Sequence, residues 1–539
     1  MTNTHIGSGA SGEFPARPTG WIDRFSSFTL EHPTRLVIWT ICVSTLLRLI
    51  GAELIGFGNG EAYYLATARH FALSYYDQPP LFVWIAWATM KITGSEWLFL
   101  LRLPFIAMFV VTTWLMYRLG TSLFNQRVGA LAAFLLNISP VFSLSVGSWV
   151  QPDGPLMLTM LAGVMCICRL AFGPPVTSRL LMWAWVGVWF GLAMLAKYHA
   201  ILVMLGLFVF AITSREHRRW FFEPGPYLAL AIALVIFSPV IVWNWQNSGA
   251  SFGFQGGRIL ESEGFRVEWL IRSLIGQMAW VGPWIWVPMI ESYGRALWRG
   301  PQDVKAWFLC CGAALPIILF TVAALWAPLG WHFHWQAPGY ILLFPLLGVM
   351  ALDRLERNHR VTHVWLFASL VSLLVIFSLL VAQVATGWMR FLVPASIAPQ
   401  LSRINDPTLE AQDWPEVRQA VERLGLLHKP RLFVTGGQWF QAGRVDVQLG
   451  RDLPVVCLCE DPRNIAFNWD HRNFAGWDAL IIGTDHYVGN APKLYGPYFD
   501  KIELLERVDI HRGGSVVATV PIYYATNYKQ LYPMPLPPR

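Results

Sequence analysis

The sequence predicts a polytopic α-helical membrane protein that ends in a soluble α/β domain. Three observations carry this. Apolar residues make up 55% of the 539 residues and charged residues only 14%, against about 25% charged in soluble domains, and the mean hydropathy is +0.44. Apolar runs long enough to cross a bilayer recur between residues 34 and 390; roughly 20 apolar residues suffice for one crossing. Beyond 390, acids and bases are spread throughout and the apolar runs become short and β-branched. The net charge of +7 does not indicate a nucleic-acid partner, because Lys and Arg sit in short loops between apolar runs, where they orient a chain among membrane lipids. The 28 Trp residues fit aromatic belts at the two interfaces.

Taken in order, residues 1–33 are a polar cytoplasmic tail with Arg17 and Arg24. They contain no apolar core, so no cleavable leader is read there. Spans follow at 34–55, 102–120, 128–147, 154–172, 180–196, 198–213, 226–245, 270–292, 306–328, 337–353 and 362–386. That makes about 11 to 13 crossings for a membrane domain over 34–390. Segment 79–95 is short, opens on Pro79-Pro80 and holds Lys91. If it does not cross, the basic pairs and triplets (Arg118/Arg127, Arg169/Arg179, Arg215/Arg218/Arg219, Arg295/Arg299/Lys305, Arg354/Arg357/Arg360) all fall on one side. The loops at 148–153 and 329–336 then face the other side without Lys or Arg. The positive-inside rule therefore makes 79–95 interfacial, and places Glu61, Asp153, loop 246–269 and the C-terminal domain outside the cytoplasm. In that domain, 391–539, EVRQAVERLGLL reads as a helix and RLFVTGG, VVCLCE, DALIIGTD and SVVATVPI as strands, which together suggest a small α/β fold. Of the seven Cys, five lie in apolar runs, and Cys457 and Cys459 are read as free thiols on one strand face.

Polar residues beside membrane spans are costly and usually kept for function. The stretch Gly58–Leu81 concentrates them, and Asp153 stands in a second such setting, GSWVQPDGPL. A carboxylate at a membrane face can act as a base. The plainer reading of Glu61 is a solvated helix position, and that of Asp153 a helix N-cap. Cations suited to phosphate are Arg69, Lys197, Arg258 and Arg266, with Lys197 equally able to snorkel. Tyr64, Tyr76 and Gln78 are taken as further substrate contacts, as are His334 and Trp335 in the aromatic run GWHFHWQAPGY. Two His at i, i+2 are a weak metal pattern, so no metal site is assigned and a divalent cation is left open. Loop 246–269 is Gly-rich and reads as a mobile cover over a substrate.

An ordered set of motifs runs through residues 34–350: Glu61–Tyr64 (EAYY), Tyr75–Leu81 (YYDQPPL), Ser95, Glu96 and Arg102–Pro104, then Pro152–Leu156 (PDGPL), Leu195–Tyr198 (LAKY) and His334–Tyr340 (HWQAPGY). This set resembles the GT-C membrane glycosyltransferases, in particular the bacterial protein-mannosyltransferase-like branch with the aminoarabinose and galacturonic acid transferases. The resemblance implies the GT-C fold, a polyprenyl-phosphate sugar donor, a lipid (lipid A-type) or protein acceptor, and inverting transfer at the periplasmic face of a bacterial inner membrane. It also implies catalytic acids at Asp153 and Glu61. Two positions depart from the pattern. Gly60 stands where the family carries the Asp of Asp-Glu, and Gln78 where it often carries Lys or His before Pro-Pro. The rival readings are a flippase for lipid-linked sugars, which many spans with buried charge would also suit, and an inactive scaffold, which the missing Asp would suit.

Overall fold

Long apolar runs become long helices here, several of them around an internal proline such as Pro104, Pro239, Pro316 and Pro345. The computed structural model describes residues 31–260, 262, 264–327, 332–389, 406–529 and 532–535. Its membrane part consists of α1 (Pro33–Leu54), α2 (Asn59–Ala68), α3 (Leu81–Thr93), α4 (Leu98–Leu123), α5 (Gln126–Asn137), α6 (Asp153–Phe172), α7 (Arg179–Ala196), α8 (Ala200–Thr213), α9 (Pro224–Gln246), α10 (Ala250–Leu260), α11 (Val267–Val281), α12 (Pro283–Arg299), α13 (Val304–Ala323), α14 (Ala337–Arg357) and α15 (His359–Thr386). Among the described residues eight helices, α1, α4, α6, α7, α9, α13, α14 and α15, are long and apolar enough to cross. The chain is a multi-pass membrane protein.

Three expected spans come out differently. Run 128–147 breaks at Ser139-Pro140 into α5 and a π-helical turn, Val141–Val146, because Pro has no N–H to continue the ladder. The break leaves polar groups inside the bundle, and Arg48 of α1 satisfies them. Its Nε donates to the Ser143 carbonyl at 3.2 Å and its Nη2 to Asn137 Oδ1 at 3.0 Å. Run 270–292 splits at Gly282-Pro283 into α11 and α12, with Gly282 at φ 96°. Run 198–213 gives α8, which at 14 residues is about 21 Å long and short of a 30 Å hydrocarbon core. Helix α3, the 13-residue product of segment 79–95, is shorter still.

The C-terminal part, whose expected start at 391 lies outside the described residues, contains α16 (Pro415–Arg423), α17 (Trp439–Leu449) and α18 (Ile465–Asn468) around five strands: β1 (Leu432–Thr435), β2 (Val455–Val456), β3 (Asp478–Ile482), β4 (Lys501–Arg512) and β5 (Ser515–Thr526). The sheet order is β2-β1-β3-β5-β4. The first three strands are parallel, and β5 pairs antiparallel with both β3 and β4. Cys457 and Cys459, expected as thiols, form a disulfide just beyond β2. One face of the sheet packs Val434, Leu480 and Ile522 against Val445 and Leu449 of α17, and Tyr63 of α2 enters this same core. Gly443 makes that approach feasible: a Cβ there would lie 2.7 Å from Tyr63 Cα. The sheet-containing C-terminal part is thus seated directly on the segment that carries the EAYY motif.

Candidate functional site

The buried acids Glu61 and Asp153 have different partners. Arg102 of α4 is spent on structure. It donates to the Ala52, Ile55 and Gly56 carbonyls at 3.1, 2.7 and 3.1 Å, which are the orphan acceptors at the end of α1. Its remaining hydrogen bonds go to Glu61, through Nε to Oε1 at 2.9 Å and through Nη2 to Oε2. Glu61 also accepts from Val150 N at 3.0 Å and Gly58 N at 3.3 Å. Both of its oxygens are therefore engaged, and its side chain is buried. Glu61, expected as a catalytic acid, thus bridges α1, α2 and α4 through Arg102 and the Gly58 and Val150 N–H groups.

Asp153 opens α6 after Pro152. It is not an N-cap; its carboxylate faces Lys197, whose Nζ lies 2.9 and 3.0 Å from the two oxygens. Lys197 occupies the extended break between α7 and α8 and is buried, as is Asp153; it does not snorkel. His334 lies in the same electrostatic neighbourhood. Burial, then the charge of Lys197, pushes its imidazole down to about 4, so it is neutral near pH 7 and is not a phosphate cation.

A second group lies on the C-terminal-domain side. Helix α10 replaces the mobile loop expected at 246–269. From it, Arg258 stacks over Trp335 at 4.5 Å and hydrogen-bonds His332 Nε2 at 2.7 Å. Burial, then Arg463, pushes its guanidinium down to about 10. Gln255 of the same helix donates to the Asp77 carbonyl. Tyr76 packs between Phe254 and Phe467, with centroids 4.8 and 5.5 Å away, and its N–H donates to Asn464 Oδ1 at 3.0 Å. Gln78 is half-buried, and among the described residues its Oε1 has no hydrogen-bond partner. Sequence reasoning passed over Asp77. It is buried, its Oδ1 accepts from Tyr63 OH at 2.8 Å, and burial raises its carboxyl against the pull of Arg463 and Arg258. The motif YYDQPPL did contain that signal, as the acid between two substrate-contact candidates. Tyr64 feels the charges of both groups, Asp77, Arg463, Asp153 and Arg258.

Two expected phosphate cations lie elsewhere. Arg69 is held by Glu96 at 2.6 Å and by Asp446 of α17, so it clamps the soluble part to the membrane part. Arg266 is exposed at the start of α11, over Trp269 at 4.6 Å. Among the described residues no cluster of three or more His, Cys, Asp or Glu could hold a metal ion.

The fold of ArnT from Cupriavidus metallidurans, solved bound to undecaprenyl phosphate, matches 91% of this chain and 98% of its own length with a TM-score of 0.60 at 15% identity. The chain thus shares the fold of ArnT. The archaeal oligosaccharyltransferase AglB from Archaeoglobus fulgidus also matches, with a TM-score of 0.51 and 12% identity over 94% of this chain and 75% of that one. Residues 77–243 match the family model for dolichyl-phosphate-mannose-protein mannosyltransferase. The lipid A galacturonosyltransferase RgtD of Rhizobium johnstonii is 24% identical over 302 residues. That match covers 55% of this chain and 61% of RgtD, less than two thirds of the relative's length.

Proposed function

We propose that the chain transfers a sugar from a polyprenyl-phosphate carrier to a lipid acceptor of the lipid A type, at the outer face of a bacterial inner membrane. The observation that carries this reading is a buried carboxylate–ammonium pair, 2.9 Å apart, in the same molecule as a half-buried guanidinium stacked on an aromatic ring. The pair is Asp153–Lys197; the guanidinium is that of Arg258, which feels the charge of Asp77. A single inverting displacement needs two such groups. At one, the acceptor O–H gives its proton to a carboxylate, here Asp153, as its oxygen bonds the anomeric carbon. At the other, the bond from that carbon to the phosphate oxygen breaks, and its electron pair leaves on the carrier phosphate, which guanidinium groups stabilise. Lys197 supplies the counter-charge that a buried carboxylate requires. The relatives' names, one a lipid A transferase and one solved with undecaprenyl phosphate, support the donor and acceptor classes.

The test is transfer itself. Purified protein given radiolabelled polyprenyl-phosphate sugars and total membrane lipids should move label to a new lipid. Label confined to the donor, whether or not the donor changes leaflet, would refute the enzyme reading. Orientation has its own test. In a variant without the native Cys, an impermeant thiol reagent applied to spheroplasts should label a cysteine substituted for Arg472 and spare one substituted for Glu216. The reverse pattern would place the site in the cytoplasm.

A further inference from the structure

Two guanidinium groups from different parts of the molecule converge on one phenyl ring. Arg258, on α10, has its Cζ 5.5 Å from the Phe254 centroid. Arg463, in the loop between β2 and α18, has its Cζ 6.0 Å from the same centroid. Arg463 is held in this position. Its backbone is left-handed, φ 45°, a conformation that residues with a Cβ seldom adopt. Its guanidinium lies on Trp439 at 3.8 Å, and its Nε donates to Asp461 Oδ2 at 3.2 Å. Among the described residues its two Nη atoms meet no hydrogen-bond acceptor.

Two carboxylates, Asp461 and Asp77, act on both guanidinium groups, but among the described residues neither engages an Nη atom of Arg463. Asp461 is partly exposed, with 44% of its side chain accessible. Asp77 feels both cations, but among the described residues no ion pair joins it to either, and Tyr63 holds one of its oxygens. Two like charges beside one ring, with free N–H groups and few acceptors, call for an anion with several oxygens. A phosphate monoester matches in charge and in its fit to a planar fork. A carboxylate matches less well, since it brings one charge and two oxygens. Next to Asp77, the amide of Gln78 adds no charge, and among the described residues its buried Oε1 has no hydrogen-bond partner.

We infer that Arg463, delivered by the C-terminal domain, joins Arg258 to hold the carrier phosphate as it leaves the sugar and passes from a singly charged diester to a monoester, so that the C-terminal part completes the substrate site. This rests on the reading of the donor as a polyprenyl phosphate ester. The seating of α17 on α2 through Gly443 and Tyr63 then has a functional consequence: it fixes the distance between the two guanidinium groups across the domain boundary.

Full-length protein in detergent micelles can be titrated with farnesyl phosphate, with farnesol as the uncharged control. Wild type should bind the phosphate and not the alcohol. Arg463→Gln and Arg258→Gln should each weaken binding by about tenfold or more at an unchanged melting temperature, and Arg472→Gln should not. Gln78→Lys placed in the Arg463→Gln background should recover part of the loss by supplying charge from the neighbouring side. If wild type ignores farnesyl phosphate, the donor reading itself fails. If wild type binds and Arg463→Gln binds within about twofold of it, the donor reading stands and the Arg463 assignment is overturned. No recovery with Gln78→Lys would overturn it too, since the effect of Arg463 would then not be one of charge at this site. Should Arg463→Gln not fold, Arg463→Lys carries the test: a loss of the fork should weaken phosphate binding in a folded protein, and wild-type affinity would reject the inference.

Discussion

Asp153→Asn should lower turnover by about 10²–10⁴-fold, the usual worth of a positioned base, with donor affinity little changed. The single substitution has a confounding effect that the structure makes explicit. Asp153 and Lys197 are a buried ion pair at 2.9 Å, and removing one partner of such a pair costs about 3–5 kcal/mol, because the other charge is left uncompensated. Inactivity of Asp153→Asn alone would therefore not separate chemistry from folding. The double variant Asp153→Asn/Lys197→Met removes both charges at similar volume, and replacing a buried pair with neutral groups is often close to neutral in stability. The melting temperature lost in the single variant should return in the double variant, while turnover should stay low. A stable double variant that keeps more than about half of wild-type turnover would show that Asp153 is not the base.

The sequence made the membrane part legible where apolar length decides the outcome, and less so where backbone chemistry does. Eight long helices match expected runs. The three runs that came out differently are short or carry Pro140 or Gly282-Pro283, and a hydropathy count does not weigh such positions. Loop 246–269 was read as mobile from its glycines. Yet Gly253 and Gly256 face open space on α10, so they cost that helix intrinsic propensity without breaking it. In the C-terminal domain, β4 was missed because its outward residues, Lys501, Glu503 and Asp509 among them, are exposed and charged. The site was half legible. Asp153, Lys197 and Arg258 stand out as charges in apolar surroundings, but the partner of each acid lies 41 to 44 residues away, and no local pattern reports which acids are already engaged. Arg463 gives no local signal at all; its position depends on a sheet of five strands seating on α2. Asp77 is visible in YYDQPPL, but its burial and its bond from Tyr63 depend on how α2 packs and leave no local pattern.

Glu61→Gln should be the most damaging substitution for folding and comparatively mild for chemistry, the reverse of what its place beside the missing family Asp suggests. Glu61 and Arg102 have side chains only 1% accessible, and the carboxylate accepts from two backbone N–H groups as well. An amide keeps one acceptor oxygen and turns an NH₂ toward donors: whichever way it is placed, it faces an Arg102 nitrogen and either Gly58 N or Val150 N. The buried guanidinium is left without a counter-charge, at a cost of about 3–5 kcal/mol, against a total stability of about 5–15 kcal/mol. The folded yield and the melting temperature should drop sharply, and the molecules that remain folded should turn over within about tenfold of wild type. Arg102→Met should behave the same way, since it strands the carboxylate from the other side. A Glu61→Gln protein that melts like wild type but has lost more than about 100-fold in turnover would reverse the assignment and make Glu61 the acid that serves in place of the residue Gly60 lacks.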